Sequence, residues 1–247
     1  MPDVLTMLRL PWNVAGEKEA TIVSLLYSLL AVCITGLVIY GAYYGGVTAL
    51  LLRSMFFSAV AAAGLAGVAL QMPSRTARMA CYLLAIVAAV PGPYLWHFYL
   101  DIVMRGSIAT QMDQVVFLAL LVASMVLVRL TLGRALLILS LVALAYAYFG
   151  YLVPGKYGHG GYDISRLTST LFLSTEGFFS IPMGVAVEYI FLFALLGTLL
   201  MKMGTGEVFV DIARGITGRV QGGPGLSAAR SGALLGTING SAGANVV

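Results

Sequence analysis

The sequence predicts an all-α, polytopic integral membrane protein of about six transmembrane helices. Three observations carry this. Hydrophobic residues make up 60% of the 247 and charged residues only 10%, whereas a soluble domain is about a quarter charged. Mean hydropathy is +0.96. The apolar residues also fall into long runs, and a helix needs about 20 of them to cross the hydrocarbon core of a bilayer.

Six runs qualify. The first, 21–43, carries no charge, and the second, 48–70, has only Arg53 near one end. The third, 79–96, is expected to close at Pro91-Gly-Pro93, because proline removes a backbone donor and collides with the preceding turn. The fourth, 114–128, is short. The fifth, 135–153, follows after Arg129 and Arg134, which bound a tight turn. One long helix through both would put two arginines in hydrocarbon, at about 2.5–3.5 kcal/mol each. The sixth, 184–201, contains one acid, Glu188.

Basic residues orient the ladder. With the N-terminus in the cytoplasm, the inside holds Arg9, Lys18, Arg75, Arg78, Arg129, Arg134, Lys202, Arg214, Arg219 and Arg230. The outside holds Arg53, Arg105, Lys156 and Arg166. This is a clear positive-inside bias. It accounts for the net charge of +4 without a nucleic-acid partner. Tyrosine, tryptophan and phenylalanine at 40–44, 94–99 and 146–151 read as interfacial belts.

The connecting segments are less apolar. Residues 1–19 are not a cleavable signal peptide, since the run that follows is too long and no cleavage site closes it. Within them, 4–12 reads equally as an amphipathic surface segment ending at Trp12 or as an unstructured leader. Outside, 154–162 is a loop and 163–180 a short helix, capped by Asp163 or Ser165. Leu167, Leu171 and Phe172 recur in it at helical spacing, so it lies flat at the interface or braces the spans. Inside, 205–219 is amphipathic, with Val208, Phe209, Ile212 and Ile216 opposite Glu207, Asp211 and Arg214. Gln221-Gly-Gly-Pro-Gly225 then breaks the helix.

Few residues suggest chemistry. Cys33 and Cys81 imply no disulfide framework and read as inert buried thiols. His97 and His159 stand alone in loops, without the company a metal site needs. The spans show no paired acids, histidine cluster or serine–histidine pattern, so an enzyme is not expected. No phosphate-binding Gly-x-x-x-x-Gly-Lys-Ser/Thr loop is present. The closing stretch 222–247 is different: it is rich in glycine and holds Asn239, Ser241 and Asn245. Polar, irregular backbone at membrane depth occurs where it is buried in protein or lines a cavity, and in transporters such elements bind solutes and ions.

Four strings share a pattern: Ile181-Pro-Met-Gly-Val185, Phe191-Leu-Phe-Ala-Leu-Leu-Gly197, Arg219-Val-Gln-Gly-Gly-Pro224 and Gly236-Thr-Ile-Asn-Gly-Ser-Ala-Gly-Ala-Asn-Val-Val247. Together they resemble the large membrane subunit of TRAP transporters, the tripartite ATP-independent periplasmic uptake systems. The match is to the fused type, in which the small membrane subunit precedes the large one. The resemblance implies a TAXI-type periplasmic binding protein as partner, a carboxylate-bearing solute, sodium as the coupling ion, and a place in the bacterial or archaeal inner membrane. It implies no cofactor beyond that ion. It divides the chain into a cytoplasmic leader (1–19), a small-subunit-like region of five spans (20–153), a periplasmic loop and interfacial helix (154–182), and the start of the large-subunit transport region (183–247).

The resemblance also implies a C-terminal re-entrant hairpin facing the cytoplasm. Its first arm would be 225–235, its tip Asn239-Gly240-Ser241, and its return arm would begin at Ala244-Asn245-Val246. Asn239, Gly240, Ser241, Ala244 and Asn245 are then the substrate and ion site, with sodium at Asn239 and Ser241. Gly232 and Gly236 read instead as close-packing positions. Two departures stand out: the turn runs Ser241-Ala-Gly-Ala where a serine and a valine usually precede the alanine-asparagine pair, and Glu188 replaces a neutral residue. Glu188 is expected to snorkel to water rather than join the site. The family needs further spans and a second hairpin, so the chain is expected to be an N-terminal fragment. The competing reading is a non-transporting membrane scaffold or assembly protein.

Overall fold

The computed structural model describes residues 17–204 and the isolated positions 208, 211, 212, 215, 232 and 233. Among the described residues every regular element is helical. The elements are α1 (Glu17–Tyr44), α2 (Ala49–Gln71), α3 (Arg75–Ala89), α4 (Pro91–Met104), α5 (Gln111–Thr131), α6 (Arg134–Phe149), α7 (Ile164–Leu171) and α8 (Ile181–Lys202). Among the described residues six helical stretches are long and apolar enough to cross a membrane; α3 and α4 together make one of 30 residues. The chain divides into two compact units, 1–184 and 185–247.

Within the first unit α2 is the hub, touching α1, α3, α4 and α5, while α5 also meets α3, α6 and α7. Lipid tails are as apolar as leucine, so burial from water does not drive these contacts; close packing does. Small residues accordingly line the middle of the bundle. Ala61 and Leu65 of α2, Ala85 and Ala88 of α3 and Ala123 of α5 form one buried cluster. Tyr27 of α1 donates a hydrogen bond to the Ala63 carbonyl, and the bare Cα of Gly67 leaves room for its ring. A second, larger cluster joins Leu51, Leu95, Ile102, Phe117 and Leu120 to Phe172, Leu173 and Phe179.

Several sequence expectations need correction. Pro91-Gly-Pro93 does not end the third span. It breaks the helix at Val90 and starts α4 with Pro91 in the first turn, a position that needs no backbone donor. The Gly92 amide donates instead to Ser58 Oγ across the bundle at 2.8 Å. A side chain at 92 would come within 2.9 Å of Met55 Cα, so glycine is what lets α4 lie against α2. His97 therefore sits on α4, not in a loop, its exposed ring edge-on to Phe98.

The segment 163–180 also differs in part. Asp163 is the cap, accepting from the Arg166 amide at 3.1 Å, but α7 stops at Leu171. Residues 172–180 then fold back in turns, with the Phe178 amide on the Leu171 carbonyl at 3.0 Å. They do not lie flat: Phe172 and Phe179 are 0% exposed. Of the two expectations for this segment, bracing the spans is the one the structure bears out: Phe172, Leu173 and Phe179 pack into the bundle core as a plug. His159 is not simply solvated. It is half-buried, accepts from the Gly161 amide at Nδ1 and stacks on Tyr162. Of the two cysteines, both free, Cys81 is buried but Cys33 is exposed.

In α8, residues Ala186–Ile190 form a π turn, closed by the Phe191 amide on the Ala186 carbonyl. Glu188 lies in it with an exposed side chain. Such bulges insert one residue into the helical ladder and shift which residues share a face.

Candidate functional site

The residues expected to form the ion and solute site, Asn239, Gly240, Ser241, Ala244 and Asn245, lie outside the described residues, as do the amphipathic stretch 205–219 over most of its length and the leader 1–16. Within the described residues, the polar groups that the fold gathers belong to the first unit and lie at one end of its bundle.

Among the described residues the buried charged side chain is Asp113, 0% exposed in the first turn of α5. An acid in a membrane span is a functional candidate by default. Here its oxygens are occupied. Oδ1 accepts from Tyr94 Oη at 2.7 Å. Oδ2 accepts from Arg105 Nη2 at 2.7 Å, the Thr110 amide at 2.7 Å and Thr110 Oγ1 at 2.6 Å. Thr110 and Asp113 also form a reciprocal capping box, which satisfies amides that the first turn leaves without partners. The group thus ties the end of α4 and the turn after it to the start of α5. With four hydrogen bonds on its carboxylate and its charge matched by Arg105, it reads as a structural tie.

A second tie starts from Arg53 on α2. Its Nη1 donates to the carbonyls of Phe179 at 3.1 Å and Ser180 at 3.3 Å, and its guanidinium lies against the bare face of Gly184. Arg53 is therefore a clamp on the plug formed by 172–180, not only a cation at a helix end. A third tie fixes the loop before α7: Tyr146 Oη donates to the Tyr157 carbonyl at 2.6 Å, and the Tyr162 amide to the Ala147 carbonyl at 3.0 Å. Sequence reasoning passed over Asp113, Tyr94 and the role of Arg53. The string Thr110-Gln-Met-Asp113 before an apolar run was the one local signal available, a capping-box pattern.

Among the described residues, six helices apolar and long enough to cross a membrane mark a multi-pass membrane protein. Residues 115–247, more than half of the chain, match the family model described as the tripartite ATP-independent periplasmic transporter, DctM component. The chain belongs to this family, the large permease component of TRAP transporters, and is a transporter component rather than an enzyme. The match begins inside α5, so it takes in the fourth and fifth spans as well as the motifs from Ile181 onward. No curated protein and no solved structure matches the chain at a significant level. TRAP permease components work with a periplasmic substrate-binding protein.

Proposed function

We propose that this permease component imports a carboxylate-bearing solute by coupling to an ion gradient, with sodium as the ion and a TAXI-type binding protein delivering the solute. The observation that carries the reading is the family match running through the glycine-rich stretch 222–247. On this reading Asn239-Gly240-Ser241 is the tip of a re-entrant hairpin, followed by Ala244 and Asn245. Side-chain and backbone oxygens there would coordinate sodium, and a half-helix N-terminus would receive the carboxylate. The basic-residue bias supports a cytoplasmic N-terminus in the inner membrane. For the regions, 20–153 would be small-subunit-like and 183–247 the start of the transport region. The start of the match at residue 115 favours a second border, in the turn before α5.

The test is uptake by the full-length permease with its binding protein, reconstituted in vesicles and screened against small carboxylates. A sodium gradient is expected to drive accumulation. Asn239→Ala and Ser241→Ala should each lower uptake about tenfold at limiting sodium, equivalent to ~1.4 kcal/mol of ion binding. Accumulation that follows a proton gradient alone would overturn the sodium assignment. Unchanged sodium dependence in both variants would remove the two residues from the site.

A further inference from the structure

α6 and α7 leave between them a crevice of about 450 Å³, within the roughly 300–1,000 Å³ that small-ligand sites occupy. Ala143, Leu144 and Ala147 of α6 form one wall and Leu167 of α7 contributes to the other. The remaining lining includes Tyr162 and Arg166, whose guanidinium carbon lies 4.9 Å from the centre of the Tyr162 ring. The lining is thus mostly apolar, with the Thr170 hydroxyl and the Arg166 guanidinium as its polar groups besides Tyr162.

Its depth matters. The Tyr162 amide bonds the Ala147 carbonyl, and the span continues past Ala147 to Leu152, about 7.5 Å further at 1.5 Å per residue. If the bilayer core reaches the end of this span, the exposed Arg166 stands near the boundary between acyl chains and headgroups. Among the described residues no carboxylate pairs with its guanidinium. Asp163, three positions earlier, accepts from the Arg166 backbone amide instead. A guanidinium presents five donors, and its planar fork matches a phosphate. α6 itself has no buried residue, so the alkyl wall is open along a membrane-spanning helix.

We propose that this crevice holds one phospholipid, with an acyl chain along the α6–α7 wall and the phosphodiester on Arg166. The headgroup charge, not the chain, then decides occupancy. The Tyr162 ring, 4.9 Å from the guanidinium carbon, covers one face of it, and its N–H donors would take the phosphate oxygens. The proposal is independent of which solute or coupling ion the permease uses.

The experiment uses the full-length permease in vesicles of digalactosyldiacylglycerol, a bulk lipid without phosphate. A phosphatidylglycerol carrying a photoactivatable chain is added in one arm and a diacylglycerol with the same chain in the other. Peptide mapping is expected to place the phosphatidylglycerol label on 143–147 and 162–171, with at least about fivefold less label from diacylglycerol. Arg166→Gln should reduce the phosphatidylglycerol label about fivefold, the ~1 kcal/mol that one basic residue contributes at an anionic lipid surface. It should leave the diacylglycerol label unchanged, and Arg166→Lys should retain most of the signal. An unchanged melting temperature shows that Arg166→Gln still folds. Equal labelling by the two probes, labelling confined to other spans because protein fills the crevice, or no effect of Arg166→Gln would each overturn the assignment.

Discussion

Asp113 shows how a single residue changes meaning once its neighbours are known. In the sequence it is one acid at the start of a span. In the fold its four contacts come from Tyr94, Arg105 and Thr110. Removing one partner of a buried, hydrogen-bonded pair costs more than the pair contributes, because the other partner is left without compensation. Asp113→Asn keeps the shape but removes the charge facing Arg105, which is 28% exposed and so partly relieved by water. We expect this variant to lose on the order of 2–3 kcal/mol, read as a lower unfolding temperature in detergent. Asp113→Ala should lose more, since Tyr94 and Thr110 also lose their acceptor. Wild-type stability in both would show that the group does not hold α4 to α5.

At the scale of elements, the break between α3 and α4 is the clearest case. Two prolines bracket Gly92, and in lipid a backbone donor without a partner costs several kcal/mol. The solution is Ser58, a residue 34 positions away. Ser58→Ala would strand the Gly92 amide at a cost of about 1–3 kcal/mol. We expect it to destabilise the bundle by that amount, whereas Ser140→Ala should be near neutral, because Ser140 is exposed and bonds only the Leu136 carbonyl of its own helix. Equal melting temperatures for the two variants would contradict this account. Residues 172–180 make the same point without hydrogen-bond arithmetic. Their aromatic side chains meet Phe57 and Phe117 in tilted and edge-on pairs, which is why this polar-flanked segment turns inward.

At the scale of the whole molecule, six crossings place α1–α2, α3/α4–α5 and α6–α8 connections on one side, and the α2–α3 and α5–α6 turns on the other. The ties made by Asp113, Arg53 and Tyr146 and the turns at 172–180 all lie at the first set of connections, while the Ala61, Leu65, Ala85, Ala88 and Ala123 cluster packs α2, α3 and α5 together. With Cys33 and Cys81 replaced by alanine, Lys156→Cys and Leu132→Cys should report opposite sides of the membrane. A membrane-impermeant maleimide is expected to label position 156 in right-side-out vesicles and position 132 in inverted ones. The reverse pattern would invert the proposed orientation.

The sequence by itself determined the helical class, the six crossings and their approximate limits, because lipid offers the backbone no hydrogen-bond partners and each span must be apolar and self-satisfied. It also carried the motifs by which the family is recognised, and the expectation for Asn239, Ser241 and Asn245 rests on those motifs alone. Tertiary structure decided the rest. Tyr94 lies 19 residues from Asp113, Ser58 lies 34 from Gly92, and the Phe179 carbonyl lies 126 from Arg53. No hydropathy pattern reports such pairs, since a serine or arginine reads the same whether it meets solvent, lipid headgroups or another helix. Packing between spans, rather than transfer out of water, fixes those positions.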